Sequence, residues 1–240
     1  MARFFLPAEA WNDHAALDVE ESRHCSQVLR LGPGDVITVF DGAGRSAKAA
    51  IRKVGKHEVA LELAEPVHHQ RLQPAIILAQ GIPKGKTMEW IVEKAVELGV
   101  ARIVPLVTRF AVVKYAADEA RKKAEKWQKV ALEACKQCGQ NWLPIVEPPL
   151  DGRAFISQQR VGGKIIASLA DGARPLRQVL QELPTQDQVT VMIGPEGDFS
   201  LEEMQLASQS GYQAATLGDF VLRSETAALF TLAALRCHYL

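Results

Sequence analysis

Two stretches near the end of this 240-residue chain constrain its fold more than any other feature. Val189-Thr-Val-Met-Ile-Gly-Pro-Glu-Gly-Asp198 and Leu217-Gly-Asp-Phe-Val-Leu-Arg-Ser-Glu-Thr226 each run from apolar residues through a glycine-bearing bend to a helix start. Open α/β sheets hold their ligands where such bends follow strand ends. A pair of them predicts a cradle of main-chain groups.

The texture around these blocks is that of alternating strands and helices. Ala75-Ile-Ile-Leu-Ala79 is continuously apolar, as in a strand covered on both faces. Met88, Ile91, Val92, Ala95 and Leu98 follow at helical spacing, with Gly99 placed to end the helix. Arg102–Val107 reads as the next strand. A basic helix is predicted from about Ala117 to Cys138, with Trp127, Ala131, Ala134 and Cys138 on its apolar face. Lys122, Lys123, Lys126 and Lys129 mark its wet face, and Gly139 closes it. Further strands are expected at Lys164–Leu169, Gln188–Ile193 and Ala214–Leu217. The last helix, Thr226 to about Tyr239, is apolar nearly all round, which predicts burial in its own domain or against another subunit.

Residues 1–70 read differently, as a small and mostly β domain. Val36–Phe40, Lys48–Val54 and Glu58–Leu63 are short strands, and one helix spans about Glu20 to Leu29. This pattern predicts a compact barrel. The polar segment Glu65–Arg71 reads as a linker to a second domain over 74–240.

Charge and cysteine usage exclude several function classes. The formal net charge is +0, so bulk charge permits nucleic-acid binding without indicating it. Residues 74–149 lean basic and residues 150–240 lean acidic. No apolar run approaches the ~18 residues of a membrane span, and the first residues lack the core of a signal peptide. A cytoplasmic protein without membrane partners is expected. Cys135 and Cys138 have CxxC spacing, but no second pair accompanies them. Helix packing is the expectation there, and no metal is expected.

Within the first block, Gly194 and Gly197 permit close approach of backbone to ligand. Ser200 and Glu203 have the spacing of a capping box. No Walker lysine follows, and Glu196 would repel phosphate, so the bend suits a ligand with a positive centre. The plain alternative is a Gly-Pro turn between strand and helix. In the second block Ser224 is a candidate cap, with Glu225 at the positive end of the helix. Arg223 opposes that dipole, which predicts either a pair with Glu196 or a face toward an anionic substrate.

Taken together, Ile193-Gly-Pro-Glu-Gly197, Leu217-Gly218, Leu222-Arg-Ser-Glu-Thr-Ala227, Glu97-Leu-Gly99, Trp127-Gln-Lys-Val130, Glu133-Ala-Cys135 and Gln137-Cys-Gly139 resemble the ribosomal RNA small subunit methyltransferase E family. Arg3-Phe-Phe5 and His24 to Arg30 extend the likeness to the start of the chain. The resemblance implies an α/β SPOUT (trefoil-knotted) methyltransferase domain preceded by a small PUA-like β-barrel that binds RNA. It implies a homodimer that transfers methyl from S-adenosylmethionine to N3 of a uridine in small-subunit ribosomal RNA, free or in the assembled subunit. The cofactor residues it implies are Leu169, Ile193, Gly194, Pro195, Glu196, Gly197, Leu217, Gly218, Val221, Leu222 and Thr226. Arg223 and Glu225 would be catalytic, and Arg3, Arg30, Lys84 and Lys86 would contact RNA. The chain departs from the family pattern at Thr87, Arg109, Phe110, Gln140, Asp198 and Phe220, mostly by losing a basic side chain. The departures leave two other readings open: a non-catalytic RNA-binding or assembly factor, and a SPOUT enzyme acting on another nucleotide.

Overall fold

The computed structural model describes residues 2–111, 115–159, 161–183 and 187–240. They form two compact units, Met1–Arg71 with Leu132–Leu143, and Leu72–Ala131 with Pro144–Leu240.

The first unit is built on one sheet. Its strands are β1 (Arg3–Phe5), β2 (Ala16–Leu17), β3 (Val36–Phe40), β4 (Arg45–Val54), β5 (Val59–Leu63) and β6 (Val67–His68). Their order is β1-β3-β4-β5-β2, with β6 also on β4. β1 runs parallel to β3 and the other pairs are antiparallel. Alternate residues of the strands meet inside: Phe4, Ile37, Val39, Ile51, Val59 and Leu61 form one buried cluster. The helix expected over Glu20 to Leu29 is α1 (Val19–Arg23), capped by Asp18, and it continues as a wider π turn through His24–Val28. The segment Glu65–Arg71, expected to be a linker, holds β6, and its His69 carbonyl accepts from Trp142 Nε1. Pairing with β4 supplies the order that its polar composition hides.

Residues 132–143 join this unit although the helix that carries most of them begins in the other. Lys136 reaches Glu21 at 2.7 Å and also meets Glu133, all three far from bulk water except Glu133. Burial foremost pushes the Glu21 carboxyl up from its ordinary range, and the Lys136 ammonium draws it back. Cys135 is buried and its thiol is pushed up to about 12, chiefly by burial. A thiol so far from ionisation is a packing residue, whereas Cys138, which the sequence placed on the apolar face of the helix, is exposed. No cluster of His, Cys, Asp or Glu among the described residues could hold a metal ion.

The second unit is an open, parallel sheet with helices on its faces. In chain order it contains β7 (Ala75–Gly81), α2 (Thr87–Glu97), β8 (Arg102–Val107), α3 (Ala117–Cys138, shared with the first unit), β9 (Ile145–Val146), β10 (Leu150–Asp151), α4 (Gly152–Ile156), β11 (Gly163–Ala167), β12 (Arg174–Pro175), α5 (Leu176–Glu182), β13 (Gln188–Ile193), α6 (Leu201–Gln209), β14 (Gln213–Thr216) and α7 (Ser224–Tyr239). The strand order is β10-β8-β7-β13-β11-β14-β12, with β9 on β8. The strands most apolar in sequence, β7 and β13, are its buried centre, paired Gln188↔Ala75 through Ile193↔Gln80. β11 lies between β13 and β14, with Ile166 opposite both Met192 and Ala214. This arrangement brings the ends of three strands side by side.

α7 begins at Ser224, two residues before the expected Thr226. Its Ala228, Leu232 and Leu235 are fully buried, and burying each leucine is worth about 2 kcal/mol. Near its end, Arg236 donates to the carbonyls of Leu98, Gly99 and Pro74, fastening α7 to the end of α2. The helix is not covered all round: Phe230 stays 48% exposed. No described helix is long and apolar enough to cross a membrane.

Candidate functional site

Because β11 sits between β13 and β14, the bends after all three strands converge. Ala167-Ser168-Leu169, Ile193 to Glu196 with Asp198, and Leu217 to Ala227 (save Asp219, Glu225 and Thr226) line one cleft of about 260 Å³. Most of that lining is apolar: Ala167, Leu169, Ile193, Pro195, Leu217, Phe220, Val221, Leu222 and Ala227.

The wall from Gly194 to Asp198 is tightly held. The Asp198 N–H donates to the Pro195 carbonyl at 2.9 Å, and its own carboxylate accepts from the Phe199 N–H at 2.8 Å. Asp198 has φ 57, the left-handed region that asparagine, aspartate and glycine tolerate best. Asp198 therefore holds a left-handed bend of the kind that glycine usually supplies. Burial foremost pushes the Asp198 carboxyl up, and the Phe199 N–H draws it back. The capping box is formed: Ser200 Oγ accepts from the Glu203 N–H while Glu203 accepts from the Ser200 N–H.

A small polar relay joins this wall to its neighbours. The Ser224 hydroxyl donates to the Gly194 carbonyl at 2.5 Å and accepts from Gln80 Nε2 at 2.8 Å. Gln80, at the end of β7, is completely buried, and its Oε1 has no partner among the described residues. Next to it, Gly81 packs so closely on the turn that a Cβ there would lie 2.5 Å from Pro195 Cδ. Three distant segments are thereby pinned together, at Gln80-Gly81, Gly194-Pro195 and Ser224. Ser224 was expected as a helix cap. It makes no capping bond, and Arg223 occupies the cap position with extended backbone instead. Extended, Arg223 is outside the first turn and escapes the opposition of the dipole assumed from sequence.

The opposite wall is loose. Gly218 has φ 129 with nothing near its Cα face, and Thr216 Oγ1 makes only long contacts of 3.3 and 3.5 Å with it. Phe220 and Val221 are 83% and 75% exposed. No hydrogen bond among the described residues engages the N–H of Val221 or Leu222, which leaves two donors at the rim of an apolar cleft.

Of the residues singled out in the sequence, Leu169, Ile193, Gly194, Pro195, Glu196, Leu217, Gly218, Val221, Leu222 and Arg223 come together in this cleft. Thr226 is exposed and Glu225 half-buried, and neither lines it; Gly197 lines a neighbouring cleft instead. The pair Arg223–Glu196 does not form. The Glu196 carboxylate accepts from the Lys84 N–H at 3.0 Å, and Arg223 has no ion pair among the described residues. In the first unit Arg3 is engaged, donating to Asn141 at 2.8 Å and lying over the Phe40 ring, while Arg30 is exposed with φ 57. Sequence reasoning missed Gln80, because the apolar run was closed at Ala79. A polar residue at the end of an apolar parallel strand was the available signal. It also missed Ser168 and Asp198 as parts of the lining.

Known proteins give independent findings. A family model described as an RNA methyltransferase domain matches residues 70–236, and one described as an RNA methyltransferase PUA domain matches residues 17–64. A Synechocystis sp. protein named ribosomal RNA small subunit methyltransferase E is 32% identical over 222 residues, covering 90% of this chain and 71% of its own. A solved Neisseria gonorrhoeae protein of that name, bound to S-adenosyl methionine, is 32% identical with a TM-score of 0.88, covering 100% of this chain and 98% of its own. A solved Legionella pneumophila protein described as a putative methyltransferase in complex with the cofactor SAM is 34% identical with a TM-score of 0.89, covering 99% and 97%. The fold is accordingly the SPOUT methyltransferase fold with a PUA-like barrel.

Proposed function

The chain belongs to the ribosomal RNA small subunit methyltransferase E family, and from that premise we propose that it transfers a methyl group from S-adenosylmethionine to N3 of a uridine in small-subunit ribosomal RNA. The observation that carries the proposal is the cleft itself, walled by two crossovers that Ser224 ties together through the Gly194 carbonyl.

The residues present fit the cofactor. Apolar side chains offer faces for an adenine ring, and the unengaged N–H groups of Val221 and Leu222 can donate to its ring nitrogens. Glu196 and Asp198 place carboxylates in the wall, suited to a ligand with positive centres. When bound, S-adenosylmethionine supplies an electrophilic methyl carbon. The chain must do the rest. A uridine imide is a poor nucleophile until its N3 proton leaves, so the site has to favour the anionic ring. Arg223, in the lining and without an ion pair among the described residues, would stabilise the charge that spreads onto the ring carbonyls. Fixed walls would hold N3 in line, which supplies much of the remaining acceleration. Glu225, at the start of α7 but outside the lining, is assigned the proton acceptor through a bridging water.

The first unit and its Arg30, with Arg3 next to the Phe40 ring, would contact the RNA, read through shape and unpaired bases. We assign a homodimer on the exposed apolar face of α7 around Phe230, acting in the cytoplasm where its RNA is made. The test is transfer of labelled methyl to small-subunit ribosomal RNA and to intact subunits, followed by nucleoside mass spectrometry. Label on N3 of a uridine is expected. Binding of S-adenosylmethionine without transfer to either substrate would refute the enzymatic reading and favour an assembly factor.

A further inference from the structure

A second cleft, of about 680 Å³, lies on the other side of the Pro195-Glu196 turn, which lines both. It is walled by the connection Ile82 to Lys86, by Phe110 and by the α3 residues Lys122, Lys123 and Trp127. Its charges divide in an informative way. Of the three carboxylates, Glu89 is neutralised by Lys126 at 2.6 Å, while Glu196 and Glu119 accept only from backbone, the Lys84 N–H at 3.0 Å and the Ala116 N–H at 3.3 Å, and keep their charge. The ammonium groups of Lys84, Lys86, Lys122 and Lys123 make no ion pair or hydrogen bond among the described residues. Four lysines without an ion pair among the described residues outnumber the two uncompensated carboxylates, and such a net positive space attracts a polyanion.

The aromatic group beside them narrows the ligand. Phe110 is 56% exposed and packs beside Gly197, at the seam between the two clefts; a Cβ on Gly197 would lie 3.2 Å from it. An exposed ring next to a lysine track is the combination by which proteins hold single-stranded nucleic acid, with bases on the ring and phosphates on the cations.

We propose that this cleft seats the unpaired RNA strand next to the nucleotide being methylated, its phosphates on Lys84, Lys86, Lys122 and Lys123 and a base stacked on Phe110. The proposal rests on the methyltransferase reading and extends it: the strand lies on one side of the Pro195-Glu196 turn while the reacting base crosses to the other. It also gives a physical role to Phe110, one of the positions at which the chain departs from the family pattern.

The test measures binding of deproteinised small-subunit ribosomal RNA over a range of salt concentrations, beside S-adenosylmethionine binding by calorimetry. Replacing Lys122 and Lys123 together by alanine is expected to lower the log–log salt slope by about 1.4, at roughly 0.7 per contact with a single strand. Phe110→Ala is expected to weaken RNA binding about tenfold or more while leaving that slope unchanged. Cofactor affinity should stay at the wild-type value in both. RNA affinity and salt slope that are unchanged in both variants would overturn the proposal while leaving the methyltransferase reading intact. So would a parallel loss of cofactor affinity, which would mark a general disturbance of the fold. Wild-type protein that binds the cofactor but neither binds nor methylates the RNA would sink the underlying reading as well.

Discussion

The two walls of the proposed cofactor cleft serve one ligand but are made in opposite ways. The turn from Gly194 to Asp198 is closed by its own hydrogen bonds, held by the Lys84 N–H and pressed against Gly81. The segment from Leu217 to Leu222 has almost no internal bonds and exposes two large apolar side chains. The contrast teaches a division of labour. A rigid wall would fix where the ligand sits, and an open wall would leave room for it to enter. Ser224 stands between them, which places Arg223 at the junction.

The largest effect should come from the charge at that junction. Arg223→Ala is expected to lower kcat by about 100-fold or more, as when one preorganised electrostatic partner is removed, with cofactor affinity little changed. Equal loss of kcat and cofactor affinity would show that Arg223 belongs to binding and not to the transfer step. Steady-state kinetics beside calorimetry separates the two.

Next come the rigid-wall substitutions. Gly81→Ala forces a methyl group to 2.5 Å from Pro195 Cδ, so a loss of about 1–3 kcal/mol in unfolding free energy is expected, together with weaker cofactor binding. Ser224→Ala removes the hydroxyl shared by Gln80 and Gly194. Leaving the Gly194 carbonyl and one N–H of the Gln80 amide without this partner should cost about 1–3 kcal/mol by denaturant unfolding, the other N–H staying on the Gly81 carbonyl. If Ser224→Ala proves as stable as wild type, the relay does not hold the walls together.

On the open wall, Phe220→Ala should change stability by no more than about 0.5 kcal/mol, yet weaken cofactor binding measurably, since the ring lines the cleft while staying 83% exposed. An equal stability loss on both walls would erase the comparison.

The smallest effect concerns pH. Burial raises the Asp198 carboxyl in the folded state, so its ionisation costs stability as pH rises through the ordinary carboxylate range. Asp198→Asn keeps a residue suited to φ 57 and can still accept from Phe199. It should gain a few tenths of a kcal/mol at neutral pH, because solvent screens a half-exposed group. The gain should vanish below that range, where both side chains are neutral. Thermal unfolding at several pH values would detect a gain of the wrong sign.

Much of this was legible in the chain. The continuous apolar runs Ala75–Ala79 and Gln188–Ile193 announced central parallel strands, and the period of residues 117–138 announced α3 along its whole length. Gly194 and Gly218 marked the two bends, since apolar residues, a glycine and a helix start are local properties. The pairing of Val67-His68 with β4 was not legible, because the information lies in the partner strand. The same holds for residues 132–143, whose helical period is indifferent to the unit they join.

The sequence by itself determined the long central elements, most of their apolar faces and the family resemblance, because periodicity and motif spacing are properties of neighbours along the chain. Only the tertiary structure decided that β11 lies between β13 and β14 and so brings three bends to one cleft. It also decided that Gln80, Gly194 and Ser224 share one hydroxyl, and that Glu196 is held by Lys84 and not by Arg223. Those facts depend on which distant segments meet, and a buried polar group takes whichever partner packing delivers to it.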